Sequence, residues 1–241
     1  MTHIVAGYPS LEENKNLVRM MEKMGVSFIE IQIPFSDPIA DGPTIMQANQ
    51  EALNRDTTPE DAFNLMKELK KEVKIPLLFM TYFNIVYSYG VENFCKRAQE
   101  SGCYGLIIPD FPQEEEQRDQ LRHHLKQNNI HFIEMLTPYT GPERQKQILS
   151  RATGMIYCVA RSGKTGERTG LDTTQLEYLK EIKTKIPLAI GFGISSKSHV
   201  DAALQYGDIA VIGSKLINEY NAAEKGRGIE AVEKFLHTVL K

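Results

Sequence analysis

Glu30 interrupts an otherwise apolar run, Phe28-Ile29-Glu30-Ile31-Gln32-Ile33, and two more acids, Asp37 and Asp41, follow in the segment Pro34-Phe35-Ser36-Asp37-Pro38-Ile39-Ala40-Asp41-Gly42-Pro43-Thr44. Successive side chains of a strand point to opposite faces, so Ile29, Ile31 and Ile33 share one face and Glu30 and Gln32 the other. If the apolar face packs against helices, Glu30 and Gln32 point into the interior of a barrel. A carboxylate there is stripped of water, and desolvated acids are the ones enzymes use to move protons. The plainer reading of Glu30 is a buried acid held by a structural partner. Asp37 and Asp41 also have a plainer reading, because Asp beside Pro and Gly is ordinary turn chemistry and either could cap a helix starting near Thr44.

A second chemistry is written in glycine. Gly191-Phe192-Gly193-Ile194-Ser195-Ser196 and Gly213-Ser214-Lys215 each follow a short apolar run. Glycine lets backbone N–H groups approach an anion closely, and a helix N-terminus adds a favourable dipole, so the pair reads as a phosphate site. Two plain glycine turns are the alternative, and Lys215 reads equally as an added charge or a solvated side chain. The stretch from Arg161 to Gly170, rich in Gly, Thr and charge, has the composition of a closing loop. The six histidines form no constellation: His3 and His131 stand at strand starts and His123, His124, His199 and His237 on helices, all read as structural or surface residues. No cysteine–histidine or serine–histidine nucleophile is visible, which favours acid–base chemistry over covalent catalysis.

The elements that must position these groups alternate along the chain. Short apolar runs at His3–Ala6, Ser27–Ile33, Leu77–Tyr82, Gly105–Ile108, His131–Leu136, Gly154–Ala160, Leu188–Phe192 and Ile209–Ile212 read as buried parallel strands. Between them lie stretches of helical period: Leu11–Met24, Thr58–Val73, Asn93–Ser101, Glu114–Gln127, Pro142–Arg151, Thr174–Lys185 and Ser196–Tyr206, with Gly228–Leu240 last. Ser10-Leu11-Glu12-Glu13 and Thr58-Pro59-Glu60-Asp61 set a hydroxyl three residues before an acid, a helix-start signal, with Pro59 at the first helical position. Eight strand–helix pairs without a linker predict an α/β chain over 1–241 as a single (β/α)₈ TIM-barrel domain. A doubly wound open sheet is the rival, but no Gly-x-Gly-x-x-Gly follows the first strand.

Composition sets outer bounds. The chain has 241 residues, 41% hydrophobic and 24% charged, ordinary for a globular fold that buries its own core. A net charge of −3 and no long basic run argue against a nucleic-acid surface. Cys95, Cys103 and Cys158 match no zinc spacing and suggest no disulfide framework, so a reducing cytoplasm is expected and no metal. No apolar run approaches the ~18 residues of a membrane span, and the first residues lack the pattern of a signal peptide.

The segment Glu-Ile-x-Ile-Pro-Phe-Ser-Asp-Pro-Ile-Ala-Asp-Gly-Pro-Thr-Ile, Glu30 to Ile45, resembles the signature of the tryptophan synthase alpha chain family. The resemblance continues in Ile107-Ile108-Pro109-Asp110-Phe111-Pro112, Ala160-Arg161-Ser162-Gly163-Lys164-Thr165-Gly166, Gly191-Phe192-Gly193-Ile194-Ser195 and Gly213-Ser214, and so covers nearly the whole chain from Val5 onward. It implies a lyase of tryptophan biosynthesis that cleaves indole-3-glycerol phosphate to indole and glyceraldehyde 3-phosphate. Glu30 matches the acid that moves protons at indole C3 and the glycerol hydroxyl, and Asp41 the acid that receives the indole N–H. Gly193, Gly213 and Ser214 match phosphate contacts, Thr165 a threonine that reaches toward the second acid, and Gly166 a phosphate neighbour. Tyr157 matches a tyrosine near the first acid, against a core-aromatic alternative, and Tyr82 lines the indole pocket or fills the barrel. Asp37, Pro38 and the loop around Asn84 and Val86 match a docking face for a beta subunit. That subunit, in an alpha2-beta2 heterotetramer, carries the pyridoxal phosphate; the alpha chain carries no cofactor.

Two departures stand out. Family members usually open with a short helix before the first strand, whereas this sequence is read as starting in that strand, which predicts lower stability at the barrel bottom with the chemistry unchanged. Gln32 stands where the family commonly has glycine, and its side chain would shrink the indole pocket or hydrogen-bond to Glu30. The rivals are a related phosphate-binding barrel, such as indole-glycerol-phosphate synthase or phosphoribosylanthranilate isomerase, a stand-alone lyase, and a weakly catalytic barrel that mainly activates a partner. The first would lack the Pro-Phe-Ser-Asp-Pro segment.

Overall fold

The structure is a computed structural model that describes residues 1–111, 120–159, 173–191 and 193–241, without the side chains of 173–175. Among these residues the strands form two parallel sheets. The first holds β1 (Thr2–Val5), β2 (Ile29–Gln32), β3 (Leu77–Met80), β4 (Gly105–Ile107) and β5 (His131–Phe132), in chain order. The second holds β6 (Glu134–Leu136), β7 (Ile156–Val159), β8 (Leu188–Gly191) and β9 (Ile209–Val211), also in chain order. β5 and β6 are one run broken at Ile133, whose N–H still donates to Leu106 O at 2.9 Å, so they act as a single stave. At the other edge Thr2 bridges Ile212, and His3 N–H donates to Ile212 O at 3.1 Å. Eight staves therefore close into a barrel, and closure removes the unpaired edges an open sheet would carry.

Helices follow the staves as expected: α1 (Leu11–Lys23), α2 (Pro43–Leu53), α3 (Pro59–Leu69), α4 (Phe83–Tyr89), α5 (Val91–Glu100), α6 (Leu121–Gln127) and α7 (Pro142–Arg151), then α8 (Lys197–Ala203), α9 (Ser214–Ala222) and α10 (Gly228–Leu240). Both predicted caps form. Ser10 Oγ accepts from Glu13 N–H at 3.1 Å, and Thr58 and Asp61 make a reciprocal capping box with Pro59 at the first position. The sequence reads a helix over Thr174–Lys185, whereas the chain forms a 3₁₀ segment at Thr173–Glu181. That turn buries Leu176 and Leu179, three residues apart, a spacing that 3₁₀ geometry stacks on one side. The helices α2, α4 and α9 are additional elements in the loops above the staves, and the start of the predicted Glu114–Gln127 helix lies outside the described residues.

Strand alternation splits the core in two. Ile29, Ile31, Ile33, Leu77 and Phe79 pack outward against helices. Leu78, Met80, Tyr82, Ile107, Ile133, Ala189 and Val211 form a separate inner cluster, with Phe35 and Tyr157 against it. Glu134 is an outer exception: its buried carboxylate is held by Arg122 and by Arg151 Nε at 2.8 Å, which pair a buried charge that would otherwise destabilise the fold. The three cysteines are free and buried, and burial pushes each thiol up to about 12.

Phe63 is the hub of the outer layer beside β3. Its ring meets Phe79, Phe94 and Tyr89 edge-on at 5.3, 5.1 and 5.5 Å, and the Arg97 guanidinium lies 5.4 Å from its centroid. Phe63→Ala is expected to cost ~3–5 kcal/mol in urea unfolding, because neighbours fixed on three elements cannot collapse into the space. A loss below ~1 kcal/mol would show that the layer repacks freely.

Candidate active site

The β1–β2 register sets His3 opposite Glu30, and His3 Nδ1 lies 3.1 Å from Glu30 Oε1, both side chains buried inside the barrel. Two residues on, Gln32 stands opposite Met80 on the same inner face. Its Nε2 donates to Asp41 Oδ2 at 2.7 Å, so the amide engages the second acid and not the first. Asp41 is buried, and its N–H donates to Pro38 O at 3.0 Å. The helix that follows, α2, starts from Gly42 with no side-chain cap, which sets aside a capping role for Asp37 or Asp41.

Buried asparagines fix the loops that carry these groups. Asn49 on α2 accepts from Phe35 N–H at 3.0 Å and donates to Ile45 O at 2.9 Å, tying the acidic loop to its helix. Asn14 on α1 accepts from Gly7 N–H at 2.8 Å and donates to Val5 O and Tyr8 O, pinning the turn after β1. Gly7 has φ +80° and a Cβ there would lie 2.1 Å from Thr57 Oγ1, so no other residue fits. Tyr82 is fully buried and stacked on Phe35 with centroids 5.1 Å apart, and its hydroxyl accepts from Ala40 N–H at 3.0 Å. Asp110 accepts from Phe83 N–H at 2.9 Å, which anchors the start of α4 next to Tyr82.

The electrostatics follow from burial and mutual charge. Burial alone would lower the pKa of His3, but the Glu30 hydrogen bond and charge, the Asp41 charge and Gln32 outweigh it and raise the value. Burial raises Asp41, against the opposing pull of Gln32, His3 and Tyr82, while Glu30 adds repulsion. Tyr157 is pushed well up by burial and then by the charges of Glu30 and Asp41, so its hydroxyl stays protonated as a donor. Its ring is admitted by Gly191, where a Cβ would sit 2.6 Å from Tyr157 Cε1. Two buried atoms near the acids, His3 Nε2 and Gln32 Oε1, have no hydrogen-bond partner among the described residues. Such orphans cost roughly 1–3 kcal/mol each, so a group that arrives to satisfy them binds with that advantage.

Across the mouth, β8 and β9 pair with Gly191 opposite Val211, so Gly193 and Gly213 each lie two residues beyond one rung. Gly193 has φ +63° with open space where a Cβ would be, and Gly213 is the cap residue of α9 with no side chain to occupy its first amides. Ser214 Oγ is buried and unpartnered among the described residues. Lys215 turns away, pairing with Glu219 and lying 5.5 Å from the Phe235 ring. Thr165 and Gly166 lie outside the described residues. Asp37 and Asn84 are exposed on the loops outside the mouth, whereas Pro38 and Val86 are buried.

The histidine is what a sequence reading passes over, and the glutamine it does single out takes a different partner from the one expected. His3 was legible as an inward residue only through strand register, since one residue at a strand start carries no motif. No cluster of potential metal ligands occurs among the described residues.

The sequence profile of the family described as "Tryptophan synthase alpha chain" matches residues 1–239. The chain belongs to the tryptophan synthase alpha chain family. It is similar to the alpha chain of Desulfotalea psychrophila, 46% identical over 219 residues that cover 90% of this chain and 85% of that protein. The alpha chain of Alkaliphilus metalliredigens is 41% identical, covering 98% and 89%. Among solved structures, the tryptophan synthase alpha subunit of Pyrococcus furiosus superposes with a TM-score of 0.88 at 31% identity, covering 99% and 96%. The alpha chain of Legionella pneumophila gives 0.86 at 28%, covering 99% and 88%. As a member of the tryptophan synthase alpha chain family, the protein is a carbon–carbon lyase of tryptophan biosynthesis on a (β/α)₈ barrel.

Because the folded pKa of Asp41 lies above its ordinary 3.8, its contribution to stability is present below that pH and lost as pH rises through the folded value. Asp41→Asn keeps an acceptor for Gln32 and stays neutral. Its melting temperature relative to the parent chain is expected to rise as the pH is raised from below the ordinary aspartate value of 3.8. A difference that does not change with pH would show that burial does not strain this carboxylate.

Proposed function

We propose that the chain cleaves indole-3-glycerol phosphate by a retro-aldol reaction, with Glu30 and Asp41 dividing the proton transfers. Indole leaves poorly as a carbanion, so C3 must be protonated as the carbon–carbon bond weakens, and the positive charge that builds at the ring N–H must be balanced. Glu30 delivers the proton to C3 and takes one from the glycerol hydroxyl as the aldehyde forms; Asp41, held by Gln32 and Tyr82, receives the indole N–H. The observation that carries the reading is a pair of buried carboxylates inside one barrel mouth, facing two neighbouring glycine turns. Met80, Tyr82, Ile107 and Phe35 offer an apolar surface that suits the indole ring. Gly193, Gly213 and Ser214 hold the phosphate, Tyr157 donates near Glu30, and Thr165 and Gly166, which lie outside the described residues, are further substrate contacts.

In this reading the chain is one barrel domain that needs no cofactor or metal of its own and works in the cytoplasm; no helix among the described residues is long and apolar enough to cross a membrane. Its partner is a beta subunit in an alpha2-beta2 heterotetramer, docked on the loops of Asp37, Pro38 and Asn84, where Ile39 (70% exposed) and Tyr87 (53% exposed) present apolar surface. A solved neighbour is a Mycobacterium tuberculosis tryptophan synthase, 26% identical with a TM-score of 0.86.

Glu30→Gln is expected to lower kcat by ~10²–10⁴-fold while glycerol 3-phosphate affinity, read by calorimetry, stays nearly intact. Unchanged kcat would remove Glu30 from the mechanism. Assays of the purified chain with and without a beta subunit separate a complex-dependent enzyme, which is strongly stimulated, from a stand-alone lyase, which is fully active alone. Absence of cleavage in both overturns the proposed reaction and leaves a scaffold that serves its partner.

A further inference from the structure

β1 and β2 carry into the barrel mouth two polar side chains that the acid–base scheme leaves without a direct role. His3 uses Nδ1 on Glu30 at 3.1 Å, and Gln32 uses Nε2 on Asp41 at 2.7 Å. Each therefore spends one end on a carboxylate. The opposite ends, His3 Nε2 and Gln32 Oε1, are buried and make no hydrogen bond of good geometry among the described residues, yet they lie near enough to each other that Gln32 helps to raise the His3 pKa, so a single group set between them reaches both. The imidazole also stands beside the phosphate turn, since a Cβ on Gly213 would lie 3.6 Å from His3 Cβ and 3.9 Å from His3 Cγ. His3 thus occupies the stretch between the acid that acts on the indole end and the turn proposed to hold the phosphate end.

We propose that His3 and Gln32 are a substrate-binding pair in which His3 Nε2 and Gln32 Oε1 take a hydroxyl of the glycerol chain while their other ends hold Glu30 and Asp41. The inference rests on the proposed reaction, because it needs a ligand that runs from the acids to the glycine turns. A glycerol chain does so, and its hydroxyl groups are the only polar groups it has between ring and phosphate. A hydroxyl both donates and accepts. It accepts from an Nε2–H and donates to an amide oxygen, the complement of the two atoms left open here. The imidazolium carries N–H on both nitrogens, one for Glu30 and one for the ligand, and the surrounding carboxylates favour that form despite burial. A purely apolar tail between ring and phosphate would leave both atoms unsatisfied, so the pair selects hydroxylated chains over their deoxy analogues.

The test compares indole-3-glycerol phosphate turnover with inhibition by indole-3-propanol phosphate, which lacks both hydroxyls. For His3→Phe and Gln32→Leu, kcat/KM for the glycerol substrate is expected to fall at least ~10-fold while Ki of the deoxy inhibitor moves less than ~3-fold. His3→Asn keeps a nitrogen near Nδ1 for Glu30 but removes Nε2, so kcat recovers relative to His3→Phe and KM stays raised. Equal losses for both ligands would mean that the pair only supports the fold, and unchanged kinetics would mean that it does nothing; either overturns the inference. If the unaltered chain binds the inhibitor but turns nothing over, the proposed reaction fails instead. Calorimetry of glycerol 3-phosphate against propyl phosphate, on the unaltered chain and on His3→Phe, then reads the hydroxyl contact directly: a preference that vanishes in the variant supports it, and no preference overturns it.

Discussion

The closure of the barrel at β1 is the constraint on which the site depends. β1 pairs with β2 on one side and reaches Ile212, just past β9, on the other. That single stave sets His3 beside Glu30 and beside the turn at Gly213. Parallel pairing fixes the register residue by residue, and a slip of one would turn Glu30 and Gln32 out among the helices and bring isoleucines into the mouth. The outward isoleucines, all buried against the helix layer, hold the register because exposing them is unfavourable.

Within that frame the charges are managed in pairs. Four inward polar side chains form two hydrogen-bonded couples, His3 with Glu30 and Gln32 with Asp41, in a region otherwise lined by Met80, Tyr82 and Ile107. Low polarity makes each carboxylate sensitive to its partner, and the partners differ: an imidazole that can hold charge for one, a neutral amide for the other. The two carboxyl groups thereby acquire different surroundings, the condition under which acids take different roles in proton transfer. The strain of holding orphaned atoms and buried acids is offset by the outer layer, where Phe63 and its aromatic neighbours pack without polar conflict.

The loops are held by amides where a rigid backbone is needed. Asn14 and Asn49 each satisfy main-chain groups that no ladder reaches, one behind the β1 turn and one behind Phe35. This is how a segment with little regular structure can keep Asp41 and Tyr82 at fixed positions relative to the strands, at hydrogen-bond accuracy.

The sequence by itself determined the barrel, the inward direction of Glu30 and Gln32, both helix caps at Ser10 and Thr58, and the glycine turns after β8 and β9. Each of these is a local matter: alternation, hydroxyl-to-acid spacing or the backbone freedom of glycine acts over a few residues. Tertiary structure alone decided that Gln32 serves Asp41 and not Glu30 and that His3 is a partner of Glu30 and no bystander. It also turned the stretch read as a helix at Thr174–Lys185 into a 3₁₀ segment. The physical reason is the same for both polar pairs. Which partner a polar side chain finds depends on distances between residues remote in the chain, and those exist only once the staves have closed.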